Sequence, residues 1–143
     1  MQLRRVLVVD DHDPDLRYAD IILKSANIAR DIVLLHTARD ALVYMQSVDA
    51  VDVDAILMDI NMPEMSGFEF LEIYQPLFNE GLVSATVVMH TSSSAESDKL
   101  QASRYACVVG YLVKPLTRLL AQQLPEMILH STNRSDSSGR KAH

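Results

Sequence analysis

The feature that most constrains this chain is where its apolar runs stop. Ala55-Ile56-Leu57-Met58 is unbroken and apolar, ends at Asp59, and leads into a loop containing Pro63. Val6-Leu7-Val8-Val9 ends the same way, at Asp10 and Asp11. Runs this short and uniform read as strands buried on both faces, as in parallel sheets. Asp31-Ile32-Val33-Leu34-Leu35-His36, Thr86-Val87-Val88-Met89-His90 and Gly110-Tyr111-Leu112-Val113 supply further strands. The last two stop at Thr91 and at Lys114-Pro115.

Helical patterns separate these runs. Leu16, Ala19, Leu23 and Ala26 fall on one face of a helix, with Asp13 expected as its cap and Pro14 in its first turn. Thr37 is placed to cap a helix burying Ala38, Ala41, Leu42 and Met45. Ser66 and Glu69 fit a capping box for a helix that carries Phe70, Ile73, Tyr74 and Leu77 on one face. Ser93 and Glu96 suggest a second box, opening a polar helix to about Ala106 that is expected to be weakly held. Leu116, Leu119, Leu120 and Leu124 mark a last helix. Pro76 and Pro125 are expected to kink or end their helices. The alternation predicts an α/β fold, a five-stranded parallel sheet with helices on both faces, of the (βα)5 flavodoxin-like type. Residues 1–130 are read as one domain, and 131–143 as a polar, Ser-rich, disordered tail.

Bulk properties narrow the function. Hydrophobic residues make up 48% of the chain, enough for a packed core. A net charge of -6 argues against a nucleic-acid surface. One cysteine, Cys107, allows no internal disulfide and fits the cytoplasm. No apolar run approaches a membrane span, and none suits a signal peptide.

In a parallel sheet the carboxyl ends of the strands share one edge, where such folds bind ligands. Asp10, Asp11, Asp59, Thr91 and Lys114 therefore converge. Crowded carboxylates raise one another's pKa unless a cation relieves them. Oxygen ligands without a cysteine or histidine cluster suit Mg²⁺. An aspartate beside such a cation can accept a phosphoryl group, with the lysine and the threonine hydroxyl to meet its oxygens.

Together Val8-Val9-Asp10-Asp11, Met58-Asp59-Ile60-Asn61-Met62-Pro63 with Gly67, His90-Thr91-Ser92 and Tyr111-Leu112-Val113-Lys114-Pro115 resemble the receiver domains of two-component response regulators, from about Leu3 to Leu124. The resemblance implies that Asp59 is the phosphoacceptor and that a sensor histidine kinase or phosphotransfer protein is the donor. It implies Asp11 as a direct Mg²⁺ ligand, Asp10 orienting metal-bound water, and Asn61 offering its backbone carbonyl. Thr91 and Lys114 would contact the phosphoryl group. Tyr111 takes the switch position, changing rotamer as Thr91 moves inward, and Lys114-Pro115 is expected to be cis. The expected protein is a stand-alone signalling switch with an unidentified downstream protein target, not an enzyme beyond assisting its own phosphorylation and dephosphorylation. Homodimerisation through the fourth helix, fifth strand and last helix stays open.

Other readings compete. A pseudo-receiver would bind partners without phosphorylation, which the intact acid, threonine and lysine set argues against. An aspartate-based phosphohydrolase would use Asp11-His12-Asp13, but Pro14 follows immediately. A flavodoxin-like nucleotide binder would need a glycine-rich loop, and the chain has only 4 glycines. His12, His36 and His90 lack metal-ligand spacing.

Overall fold

In the computed structural model, residues 2–130 are described in full, and residues 131–142 only as helical backbone. The elements run β1 (Leu3–Val9), α1 (Asp13–Ala26), β2 (Ala29–Leu35), α2 (Ala38–Met45), a 3-10 turn (Val48–Asp52), β3 (Val53–Met58), α3 (Gly67–Asn79), β4 (Thr86–Thr91), α4 (Glu96–Ser103), β5 (Val108–Val113) and α5 (Arg118–Ala142). The strands form one sheet in the order β2-β1-β3-β4-β5, every pair parallel. This is the expected α/β architecture.

Strand side chains alternate between two apolar layers. Leu7, Val9, Ile56, Met58, Val87 and Met89 pack with Ala38, Leu42, Phe70 and Tyr74 of α2 and α3. Val6, Val8, Ala55, Leu57 and Val88 pack with Leu16, Leu23, Ala121 and Leu124 of α1 and α5. Every residue of β4 is buried, so its middle, Val87-Val88-Met89, is apolar on both faces rather than alternating, with Thr86, His90 and Thr91 buried at its ends. The Tyr74 hydroxyl donates to the Ala85 carbonyl at 2.7 Å, pinning α3 to the approach of β4. Among the described residues, no helix is long and apolar enough to cross a membrane.

The helix starts follow their caps. Ser66 and Glu69 form the reciprocal box at α3, with bonds of 3.1 and 2.9 Å. The Asp40 amide donates to Thr37 Oγ1 at 3.0 Å, capping α2. Two starts differ from expectation. At α1, His12 occupies the cap and Asp13 is already helical. The Asp10 carboxylate accepts the His12 amide at 2.9 Å and turns the chain one residue early. At α4 the cap is Ala95, with no side-chain bond. Ser93 instead donates to Asp98 at 2.5 Å, so no box forms with Glu96.

Neither proline ends its helix: Pro76 lies inside α3 and Pro125 inside α5. Pro76 is exposed, so the carbonyl it leaves unpaired one turn back can be hydrated. Pro125 sits between the buried Leu124 and Ile128, whose packing carries the helix through. Two expected core residues face outward. Ile73 is 45% exposed while Leu71 is buried in its stead, and Leu119 is 66% exposed while Leu116 fills the core ahead of α5. Of the tail expected to be disordered over 131–143, residues 131–142 continue the backbone of α5, and His143 lies outside the described residues.

The sheet has two register shifts, both toward the amino ends of the strands. Arg5 faces Val53 and Val6 faces Ala55, so Asp54 is passed over. Its carboxylate takes the Arg4 amide at 2.7 Å and guanidinium at 2.8 Å. The second shift lies between Val87 and Val88, opposite Val108 and Gly110.

Candidate functional site

The site is built on the last rungs of the sheet's backbone ladder. The Asp10 amide donates to Leu35 at 3.1 Å, Asp59 to Val9 at 3.2 Å, and Lys114 to Thr91 at 2.8 Å. Each functional side chain therefore projects from a backbone position that the sheet itself fixes. Behind Asp59 the β3–α3 loop folds tightly: the Gly67 amide donates to Ile60 at 2.8 Å. A Cβ on Gly67 would stand 2.3 Å from the Asp59 carbonyl oxygen.

Asp10, Asp11 and Asp59 each bring a carboxylate oxygen within 4.8 Å of the others. Asp10 and Asp59 are buried, whereas Asp11 is exposed. Lys114 reaches into the group with Nζ at 2.6 Å from Asp10, 3.1 Å from Asp59 and 3.0 Å from Asp15. Burial pushes the Asp10 carboxyl upward, and the bond to Lys114 only partly opposes it. Burial works against the Lys114 charge as well. Its bonds to Asp10 and Asp15 and the field of Asp59 outweigh that, and its pKa is raised.

The rest of the expected set surrounds this group. Thr91 is fully buried at the end of β4, with Oγ1 accepting the Ser93 amide at 3.4 Å. The Asn61 amide lies 3.4 Å from Asp59 Oδ1. Tyr111, half-buried on β5, donates to the Ser93 carbonyl at 2.9 Å, which links it to the loop after Thr91. Lys114-Pro115 is cis. Asp13 is not in the cluster: it pairs with Arg17 at 2.6 Å and His36 at 3.4 Å, which removes the second acid of an Asp11-His12-Asp13 phosphohydrolase pair.

Two residues that sequence reasoning did not place in the site are there. Asp15, in the first turn of α1, binds Lys114 and also His12 Nδ1 at 3.1 Å. Its carboxyl is lowered: burial opposes this, but Lys114 and His12 outweigh it. His90 points to the α1/α5 side of β4, and its Nε2 is buried with no partner among the described residues. Burial, helped by the Lys114 charge, brings its pKa down to about 4, so it is neutral near pH 7.

The donor set suits a hard divalent cation: three carboxylates, all oxygen, with a lysine covering two of them. Each carboxylate alone is unremarkable at a strand end. Together they leave buried negative charge that one lysine only partly offsets, and a cation would reverse the upward push on Asp10.

The sequence profile of the response regulator receiver domain matches residues 6–128. The chemotaxis protein CheY of Pseudomonas aeruginosa is 30% identical over 131 residues, covering 90% of this chain and 98% of that one. The nitrate/nitrite response regulator protein NarL of Escherichia coli is 31% identical over 111 residues, covering 78% of this chain. The chain spans under half the length of NarL and of other curated relatives it matches. In fold it superposes on a two-component response regulator from Cytophaga hutchinsonii with a TM-score of 0.82 at 23% identity, covering 91% of this chain and 99% of that one.

Proposed function

This chain belongs to the response regulator receiver family, and from that premise we propose that it is a switch set by phosphorylation of Asp59. The donor is a phosphohistidine on a sensor kinase or phosphotransfer protein. In the transfer, an Asp59 carboxylate oxygen forms a bond to phosphorus, the phosphorus–nitrogen bond breaks, and the histidine leaves. The observation that carries this reading is the Asp59 carboxylate, buried at the sheet edge, 3.1 Å from Lys114 and clustered with Asp10 and Asp11.

Asp10, Asp11, Asp59 and the Asn61 carbonyl would hold Mg²⁺, which when bound supplies charge to bring two anions together. The protein's own residues do the rest. Asp59 is the nucleophile, held by the last rung of β3. Lys114 meets the phosphoryl oxygens with its ammonium, and Thr91 offers its hydroxyl. A phosphoryl group that draws in Thr91 loosens the Ser93 loop, and Tyr111, bonded to that loop, follows. The readout is altered binding of a protein partner at α4, β5 and α5, or onward transfer of the phosphoryl group.

The test is intact mass after incubation with Mg²⁺ and acetyl phosphate, beside Asp59→Asn. An adduct of about 80 Da that needs both Mg²⁺ and Asp59 is the expected result for an acyl phosphate. Absence of the adduct, together with no metal- and Asp59-dependent response to beryllofluoride, would leave the protein a binding module of unphosphorylated form.

A further inference from the structure

Lys114 is held by more than the phosphorylation site requires. Its ammonium has three protons and three carboxylate partners, Asp10, Asp15 and Asp59, at 2.6, 3.0 and 3.1 Å. Asp10 and Asp59 are also two of the three acids that would take a cation. A cation and the ammonium therefore compete for the same oxygens. Asp15 stands outside that competition. It comes from α1, 99 residues away in sequence, and its carboxylate is not in the acid cluster.

The Lys114 side chain is only 11% exposed, but toward α1 it borders a cleft. The Asp15–Lys114 pair forms part of the wall of this cleft of about 250 Å³, together with Tyr18, His90, Ser92, Pro115 and Leu116. His90 donates nothing to the ammonium and receives nothing from it among the described bonds. A lysine stem is flexible and its head is a point charge, so a head beside open space stays where its partners put it. Without Asp15 its remaining partners are the two buried acids.

We propose that Asp15 is a positioning residue for this site: it draws the Lys114 ammonium toward α1, so that Asp10 and Asp59 can turn to a cation while the ammonium stays beside Asp59. The proposal rests on the reading of Asp59 as a Mg²⁺-assisted phosphoacceptor and adds a residue to it. Asp15 lies at the protein surface, with its side chain 41% exposed against 2% for Asp10, so it can be replaced without opening the core.

The experiment is a calorimetric Mg²⁺ titration of the wild type, Asp15→Asn, Lys114→Met and the double variant. Asp15→Asn should weaken Mg²⁺ binding by about three- to tenfold, because the ammonium falls back onto Asp10 and Asp59. In the Lys114→Met background, where there is no ammonium to misplace, the same change should have an effect under about twofold. Asp15→Glu should recover most of the loss, which also serves if Lys114→Met does not fold. Equal losses in both backgrounds would make Asp15 an ordinary background charge and overturn the proposal. So would Asp15→Asn binding Mg²⁺ as the wild type does. A wild type that binds no Mg²⁺ and forms no adduct overturns the phosphoacceptor reading itself, and this proposal with it.

Discussion

Gly67→Ala should disable the site from behind, without touching a functional side chain. The added Cβ would sit 2.3 Å from the Asp59 carbonyl oxygen and 3.0 Å from the Ile60 Cα. Ordinary carbon–oxygen contact needs about 1 Å more, and both neighbours are backbone that cannot rotate away. Either the start of α3 backs off, weakening the Gly67–Ile60 bond of 2.8 Å, or Asp59 moves out of line with Asp10 and Asp11. Overpacking of this kind costs about 3 kcal/mol. At an m of about 2 kcal/mol per M, the urea midpoint falls by about 1.5 M. Mass spectrometry should then show a slower adduct with acetyl phosphate, because the nucleophile has been displaced. Gly81→Ala is the internal contrast. Gly81 has φ +75 and nothing within 4 Å, so alanine there strains the backbone by about 1 kcal/mol and leaves the adduct rate alone. The reasoning is refuted if Gly67→Ala keeps wild-type stability and wild-type phosphorylation, or if the two glycines behave alike.

Other outcomes follow from the same structure. His90 has a folded-state pKa of about 4 against an ordinary 6.5, set by burial and then by Lys114, with Asp59 and Asp15 opposing. Between those values the unfolded chain takes up a proton that the folded chain refuses, so stability falls as pH drops from 6.5 toward 4, by at most about 3 kcal/mol. Asp10, raised by burial, acts in the opposite sense in the carboxylate range, so urea melts of wild type against His90→Leu across pH isolate the histidine. Tyr74→Phe removes the hydroxyl that the Ala85 carbonyl accepts and should cost about 1–2 kcal/mol by chemical denaturation, with phosphorylation intact. Mg²⁺ at ten times its dissociation constant should stabilise the fold by about 1.4 kcal/mol, and Asp11→Asn should abolish most of that gain in a thermal melt.

The sheet was legible because its central strands are buried on both faces, so β1, β3 and β4 each carry a short apolar run with an abrupt polar end. The same abruptness exposed Asp10, Asp59, Thr91 and Lys114. Asp15 was not legible, since its partner is 99 residues away and meets it only across the top of the sheet. An aspartate in a first helical turn reads as a favourable charge at a helix start and nothing more. His90 hid for the opposite reason, as one polar residue closing an apolar strand. Local rules failed where tertiary packing outweighed them: Pro125 stays helical between buried neighbours, and Ile73 yields its core place to Leu71. At α4 Ser93 bonds Asp98, five residues on, rather than Glu96 at the capping-box spacing.

The two register shifts bear on where this chain can change length. A residue gained or lost inside a strand turns every later side chain to the opposite face. Upstream of the shifts, near Arg4, Asp54 and Val109, the sheet already accommodates an odd residue on one strand, and Arg4 secures Asp54 there. Beyond them the pairing runs without interruption to Val9 opposite Met58 and Thr91 opposite Val113. Insertions and deletions can therefore accumulate at the amino ends of the strands and in the loops beneath them. The last few residues before Asp10, Asp59 and Lys114 must keep their count, so a library that varies segment length should lose phosphorylation abruptly at those stretches and gradually elsewhere.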